Sequence, residues 1–423
     1  MKKILVFILV FIITFSGCTR ITEVDSKSFV TAIGFDKGEN YNLRFTFVFT
    51  SPSKENNSKG GSKNDETIVI EAPSLYSAIE QINNFKSQTI VLTHTQTLIF
   101  SEELAREGLA EFIYMLVRSN HFRPNTYVCI TDKSSMEFLE KINPVQTYHL
   151  EKYFQLLFNK MTSGTKGDLY LYDSYFRLLS ASESSVLPYC ALNEVKITHS
   201  EPKEDESEKP SEEPSEGETV GGTFAPNTDD YAVNIIAGHT ISKSENTSEI
   251  QGVAIIKGGK LVCVLGRNEA MALQMIINSL PPSYITISNA YVPNRMITCY
   301  IATGSRTKIK VNCDDSPYIS ITVNLEGDFV EVGEDDTYIE NPKLFEEYFE
   351  TKTKESLSKF LEKIKLLDCD ICGFSEVAKM NFTKTDDWEA YKWAEKFSDA
   401  QFDINVNLTV RTYGELSQKD YRG

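Results

Sequence analysis

The first twenty residues constrain this chain more than any other stretch. Met1-Lys2-Lys3 is a basic start, Ile4 to Phe15 is apolar except for Thr14, and Ser16-Gly17-Cys18 are small residues ending in a thiol. This is the layout of a bacterial secretory signal. The apolar run is about a dozen residues, short of the roughly 20 that a membrane-spanning helix needs. The small-small-Cys ending matches a lipobox, at which cleavage leaves a diacylglycerol-modified cysteine as the new N-terminus. Phe15 stands where Leu is usual. A plain signal peptide and an uncleaved N-terminal anchor are the alternatives. On the lipobox reading, residues 1–17 are a signal peptide, Cys18 becomes an N-palmitoyl, S-diacylglycerol cysteine, and the rest folds outside the cytoplasm. One buried acyl chain binds only marginally, at about 0.8 kcal/mol per CH₂, but the two or three chains of a bacterial lipoprotein suffice for stable residence.

A length of 423 residues suggests two or three domains. The net charge of -17 argues against nucleic acid, whose phosphates demand Lys/Arg stripes. It also disfavours docking on anionic lipid through a basic face. Part of the acidity is local. Between His199 and Glu218, nine glutamates and aspartates are punctuated by Pro202, Pro210 and Pro214. Such a segment cannot bury enough apolar area to offset its ordering entropy and is expected to be disordered. The chain therefore divides into an N-terminal α/β domain (18–198), an acidic linker (199–229) and a C-terminal domain (230–415). The last is expected to hold two subdomains, about 230–300 and 301–415.

Strand and helix signals alternate in the first domain, which makes it α/β or α+β. Phe29–Phe35 and Asn42–Thr50 read as strands around an Asp36-Lys37-Gly38 turn, the second with Phe45, Phe47 and Phe49 on one face and a largely polar opposite face. Ser74 caps a helix with Leu75, Ile79, Ile82 and Phe85 at 3–4 spacing. Thr89–Phe100 reads as one buried strand, and Glu103–Ser119 as one helix with Ser101 as its N-cap. Beyond the linker, Ala232–Gly238 and Glu249–Lys257 read as strands, with Gly258-Gly259 turning into Lys260–Leu265. A helix (Asn268–Leu280), four strands (the middle two Met296–Ala302 and Thr307–Asn312), a long helix (Lys343–Leu367), a helix bearing Trp388 and Trp393, and a last strand (Phe402–Tyr413) complete the pattern.

Chemistry-bearing constellations are sparse. Without Cys18, seven cysteines remain, an odd number that is no disulfide framework. Cys369-Asp370-Ile371-Cys372 is a lone CxxC. A zinc site would need two further ligands, and a redox site a helix N-terminus, whereas Leu366–Phe374 reads as a helix end running into a strand. Structural thiols are the expected reading, with a local disulfide, redox or metal role left open. Ser163–Gly167 lacks the spacing of a phosphate loop. His94, His121, His149, His199 and His239 are scattered, and His94 reads as a structural histidine in a β-branched strand. Asp335-Asp336 reads as a loop, and Asp386-Asp387 as a helix start. No GxSxG, GxGxxG or HExxH is present. No catalytic, cofactor or metal residues are expected.

Three stretches together resemble the Ger(x)C family, the lipoprotein C-subunits of bacterial spore germinant receptors. The first runs from Leu92-Thr93-His94 through Ser101-Glu102-Glu103-Leu104-Ala105-Arg106-Glu107-Gly108 to Leu116-Val117-Arg118. The second is the hairpin Gly252 to Val262. The third is Asp370-Ile371-Cys372-Gly373-Phe374 with Trp388, Trp393, Phe397 and the ending Val406 to Gly414. Gly259 departs from the family's usual Asp, Cys263 from a common Gly, and Ser375 from the last Gly of its run. The segment after Cys18 lacks the family's Trp-Asp start. The resemblance implies a three-domain α/β lipoprotein with mixed sheets and packed helices, on the outer face of the spore inner membrane. It also implies a complex with an A-type and a B-type polytopic subunit, and a role in assembly and signalling without catalysis. The rival reading is a solute-binding lipoprotein of a transporter, which would show two doubly wound lobes.

Overall fold

The computed structural model describes residues 26–50, 65–142, 150–159, 164, 170–179, 184–193, 234–240, 242, 248–292, 295–332 and 337–412. Cys18, the acidic segment, His149, His199 and Asp335-Asp336 lie outside them.

Nine strands form the first sheet. They are β1 (Lys27–Lys37), β2 (Leu43–Thr50), β3 (Asp65–Ala72), β4 (Thr89–Val91), β5 (Thr97–Ser101), β6 (Tyr127–Thr131), β7 (Ser184–Leu192), β8 (Ser248–Lys257) and β9 (Lys260–Leu265). Their order is β3-β2-β1-β5-β6-β7-β8-β9, with β4 beside the start of β1. The β1, β5, β6 and β7 pairings are parallel and the flanking ones antiparallel, so the sheet is mixed. Helices cover both faces, which is why its central strands read as continuous apolar runs. On one face lie α1 (Leu75–Asn83), α2 (Glu102–Glu107) and α3 (Ala110–Arg118), over a core in which Phe35 stacks on Phe100 at 4.5 Å. On the other lie α4 (Ser135–Lys141) and α5 (Leu150–Asn159). The expected polar face of β2 is therefore buried too, Thr46 and Val48 included.

The sequence places a domain boundary in the acidic segment, but the two strands flanking it are neighbours. Here β7 and β8 pair antiparallel from Ser184↔Lys257 to Leu192↔Ser248. Residues 248–265 therefore complete the N-terminal sheet, and the passage to the second sheet falls after them. Along that passage runs α7 (Arg267–Ile276), which follows α6 (Leu171–Leu178) in chain order. Every residue of α7 from Ala270 to Ile276 is buried, as expected of a helix that packs on more than one side. One core cluster joins Val253, Ile255 and Leu265 of the first sheet to α7 and to the second sheet.

The second sheet is β10 (Ser283–Ser288), β11 (Met296–Asn312), β12 (Tyr318–Glu331) and β13 (Gln401–Thr412), in that order, with β12 and β13 parallel. Between them α8 (Thr337–Glu340) leads into α9 (Pro342–Leu366). Phe345, Phe349, Thr353, Leu357, Phe360, Leu361 and Ile364, at 3–4 spacing, make its buried stripe. Alternation along β13 sends Ile404, Val406, Leu408 and Val410 inward and Asn405, Asn407 and Thr409 to solvent.

Several sequence expectations change at particular residues. Strand 89–100 breaks into β4 and β5, which leaves His94 exposed in the turn with its ring edge-on to Phe29 at 4.9 Å. Helix 103–119 breaks at Gly108, whose φ of 149° lies outside helix geometry. The two strands expected between 296 and 312 are one strand with irregular register at Thr303–Lys308. The described part of the expected strand 232–238 has no regular structure. The helix with both tryptophans is two, α11 (Thr385–Tyr391) and α12 (Trp393–Lys396), parted by a left-handed Lys392 at φ 56°. The stretch after Cys372 begins a helix, α10 (Phe374–Lys379), where a strand was expected.

Candidate functional site

The three sequence motifs are far apart in the chain and adjacent in the structure. Ser101 Oγ accepts the Leu104 N–H (3.4 Å) and so starts α2. Glu102, in the first turn, accepts from the Tyr189 hydroxyl at 2.6 Å and ties the helix to β7. Its far end meets the second motif, because the Leu109 N–H donates to the Gly259 carbonyl at 2.6 Å. That contact explains the helix break. It also explains Gly259, which has φ +78° and where a Cβ would lie 2.5 Å from the Ala110 Cβ. The departure from the family's Asp is thus matched to a close approach by α3.

The second motif then reaches the third. Lys257 Nζ, on β8, donates to both the carbonyl and the carboxylate of Asp368 at 2.5 Å. Asp368 itself is left-handed (φ 51°), an uncommon state for a residue with a side chain. Two residues on, the Asp370 carboxylate is buried, 3% exposed. It accepts the N–H groups of Phe374 (2.9 Å) and Ser375 (2.6 Å), the first of α10, and the Trp393 indole N–H (3.1 Å). Gly373 supplies the left-handed turn, φ 75°, that the N-terminus of α10 requires. Burial pushes the Asp370 carboxyl up, and the Ser375, Phe374 and Trp393 donors oppose that rise. The motif is therefore a knot in which one carboxylate gathers a helix start and a tryptophan. Two further ion pairs cross the same region, Arg177 with Glu376 (3.0 Å) and Lys363 with Glu269 (2.6 Å).

The cysteines are part of this packing. All seven in the described residues are free thiols. Burial pushes Cys369 up to about 11 and Cys299 up to about 12, and raises Cys372 and Cys190 as well, so they stay protonated and weakly nucleophilic at neutral pH. Cys190 and Cys129 touch, with sulfurs 3.7 Å apart in neighbouring strands. His94, His121 and His239 lie in separate surroundings, His94 near Phe29, His121 near Tyr76 and His239 on the Ala237 carbonyl. Among the described residues, no group of three or more His, Cys, Asp or Glu could hold a metal ion. Asp386 and Asp387 stand in the first turn of α11, as expected. What the junction can do is mechanical: it fixes the second sheet's helices relative to the first sheet. The three motifs contain Lys257 and Asp370 but not Asp368, and the Lys257–Asp368 link is invisible in the sequence because neither residue is unusual in its own stretch. Asp36, expected in a turn, instead stands in β1 as a second buried carboxylate and accepts from Ser135 N (2.7 Å), Met136 N (3.0 Å) and the Ser134 and Ser135 hydroxyls to start α4.

Comparison with known proteins covers both halves. The family described as "Spore germination protein N-terminal domain" matches residues 20–192, and "Spore germination B3/GerAC like, C-terminal" matches 251–414. Spore germination protein KC of Bacillus subtilis (strain 168) is 20% identical over 426 residues, covering 97% of this chain and 95% of that one. A second protein of that organism, the spore germination protein YfkR, is 19% identical, covering 96% and 94%. The crystal structure of the GerBC protein superposes with a TM-score of 0.51 at 15% identity, over 89% of this chain and 96% of that one. At that identity the superposition speaks for the fold, a mixed α/β arrangement of two sheets with packed helices.

Proposed function

The chain belongs to the GerAC-like family of spore germination proteins, and from that premise we propose that it is the lipid-anchored C-subunit of a germinant receptor. The observation that carries this is the pair of family matches, which together account for both sheets and begin at residue 20, two residues past Cys18. The subunit is non-catalytic and acts in assembly and signalling. Its partners are an A-type and a B-type polytopic subunit, and it resides on the outer face of the spore inner membrane through acyl groups on Cys18. Among the described residues, no helix is long and apolar enough to cross a membrane, so the anchor reading gives the lipid that task. A tether raises the local concentration of the body beside its partners, and modest interfaces then suffice. The acidic segment 199–229 is a linker inserted between two paired strands.

Deleting the protein is expected to abolish germination with nutrients while leaving spores viable when germination is forced without them. Cys18→Ala is expected to abolish palmitate labelling and to weaken recovery of the two polytopic partners. Full nutrient germination by the unlipidated variant contradicts the anchoring role.

A further inference from the structure

The start of β1 is tied by sequence to the anchor. Ser26 stands eight residues after Cys18, and at no more than about 3.5 Å per residue that connection spans at most roughly 28 Å. β1 itself has 11 residues, about 33 Å end to end at 3.3–3.4 Å per residue. The connection is therefore too short to run back along the strand. Of the two ends of the sheet, the one at which β1 begins is the one that the connection holds nearer the membrane surface.

That end carries an apolar side chain in the open. β4 pairs with the first three residues of β1, Lys27↔Thr89 to Phe29↔Val91, and Phe85 lies just before β4, in the turn that closes α1, where its N–H donates to the Ile82 carbonyl (3.1 Å). Phe85 is 66% exposed, the most of any described phenylalanine, while its neighbour Lys86 is held over the Phe49 ring at 4.5 Å. The helical stripe to which the sequence assigns Phe85 does not bury it. Lys27 and the exposed His94 flank the same end.

We propose that this end of the N-terminal sheet rests on the lipid surface, with Phe85 seated among the headgroups. The proposal builds on the Cys18 anchor and adds the orientation of the body. It agrees with the acidic composition, since contact through one aromatic side chain needs no basic face. Phenylalanine is among the side chains that interfacial segments bury at the headgroup–acyl boundary, and the anchor supplies the proximity that a single phenylalanine cannot.

The test uses the full lipidated chain in vesicles of phosphatidylglycerol and dibrominated phosphatidylcholine. A tryptophan is placed at the near end (Phe85→Trp) or, as control, at the far end (Tyr41→Trp). Tyr41 is 52% exposed in the β1–β2 turn. Acylation of Cys18 is read by mass spectrometry in the same samples. An indole roughly 5–10 Å into the headgroup–acyl boundary loses about half its added emission to bromine, whereas the indole at 41 loses none. Acylated protein with equal quenching at both positions, or more at 41, overturns the orientation and leaves the anchor standing. Protein without acyl groups on Cys18 overturns the anchor and the orientation with it.

Discussion

The two sheets of this molecule are built on opposite plans. The larger is buried on both faces. β5, β6 and β7 have no exposed residue, and helices lie above and below. The smaller is covered by α7 and α9 on one face and turns Asn405, Asn407 and Thr409 of β13 to solvent on the other. Its outer strand is guarded from the side. The Leu408 and Val410 N–H groups donate to Glu350 (2.7 Å) and Glu346 (2.8 Å) of α9, which occupies positions an incoming strand would use. The difference teaches where each region can act. The larger sheet can meet other molecules only through its helices and its ends, and on the proposed Cys18 anchor one of those ends carries the membrane connection. The smaller one has a sheet face to offer, and the Lys257–Asp368 link ties its side of the molecule to β8.

Each sheet also relies on one buried carboxylate, and this gives the sharpest way to break the comparison. Asp370→Ala strips the acceptor from two backbone N–H groups and an indole, and an unsatisfied buried donor costs about 1–3 kcal/mol each. The expected loss is about 3 kcal/mol or more, read from urea unfolding. Asp36→Ala is expected to cost less, because two of its four donors are serine hydroxyls that can turn elsewhere. Equal losses would mean that the one-sided sheet is no more dependent on its knot than the enclosed sheet is on its cap.

A smaller effect is expected where the two plans meet. Gly259→Val places a β-branched residue at positive φ against Ala110, and strain of this kind costs about 1–3 kcal/mol. The Lys257–Asp368 link should loosen with it, so amide exchange in α10 should quicken. Unchanged exchange there would separate the hairpin from the knot. The mildest effect belongs to the rim of the larger sheet. The backbone N–H groups of Glu39 and Asn40, with Arg44 beside them, hold Glu71 down at about 2, below its ordinary 4.5. A depressed carboxyl stabilises the fold above its unfolded pKa, and that contribution is lost as pH falls from about 4.5 to 2. Glu71→Gln should lower stability near neutrality, where that contribution is present, and flatten the acid limb between about 4.5 and 2, so that the two stability curves converge at low pH.

Much of this was legible in the residues. Alternation gave β13 its facing, and the Phe45-Phe47-Phe49 run marked a core. The 3–4 spacing gave the second half of the α9 stripe (Leu357, Phe360, Leu361 and Ile364), whereas in the first half it pointed to Leu344 and Tyr348 and the buried residues are Phe345 and Phe349. What stayed hidden depended on contacts between distant stretches. The acidic segment looked like a domain boundary, since composition reports that a segment cannot pack but not that the strands before and after it pair with each other. The break at Gly108 needed the Gly259 carbonyl, 151 positions later. The splitting of the tryptophan helix followed from a left-handed Lys392, which local propensity does not favour. Asp370 was visible as a motif letter, but its role as acceptor for Trp393 required the fold.

The central claim is that an acylated Cys18 holds this body against integral membrane partners of a germinant receptor. Solubilising spore inner membranes and recovering the full chain, with Cys18 intact or as Cys18→Ala, tests it most directly. The intact chain is expected to bring down two polytopic proteins, and Cys18→Ala to bring down much less of both. Equal recovery from the two, or an intact chain recovered alone, would contradict it.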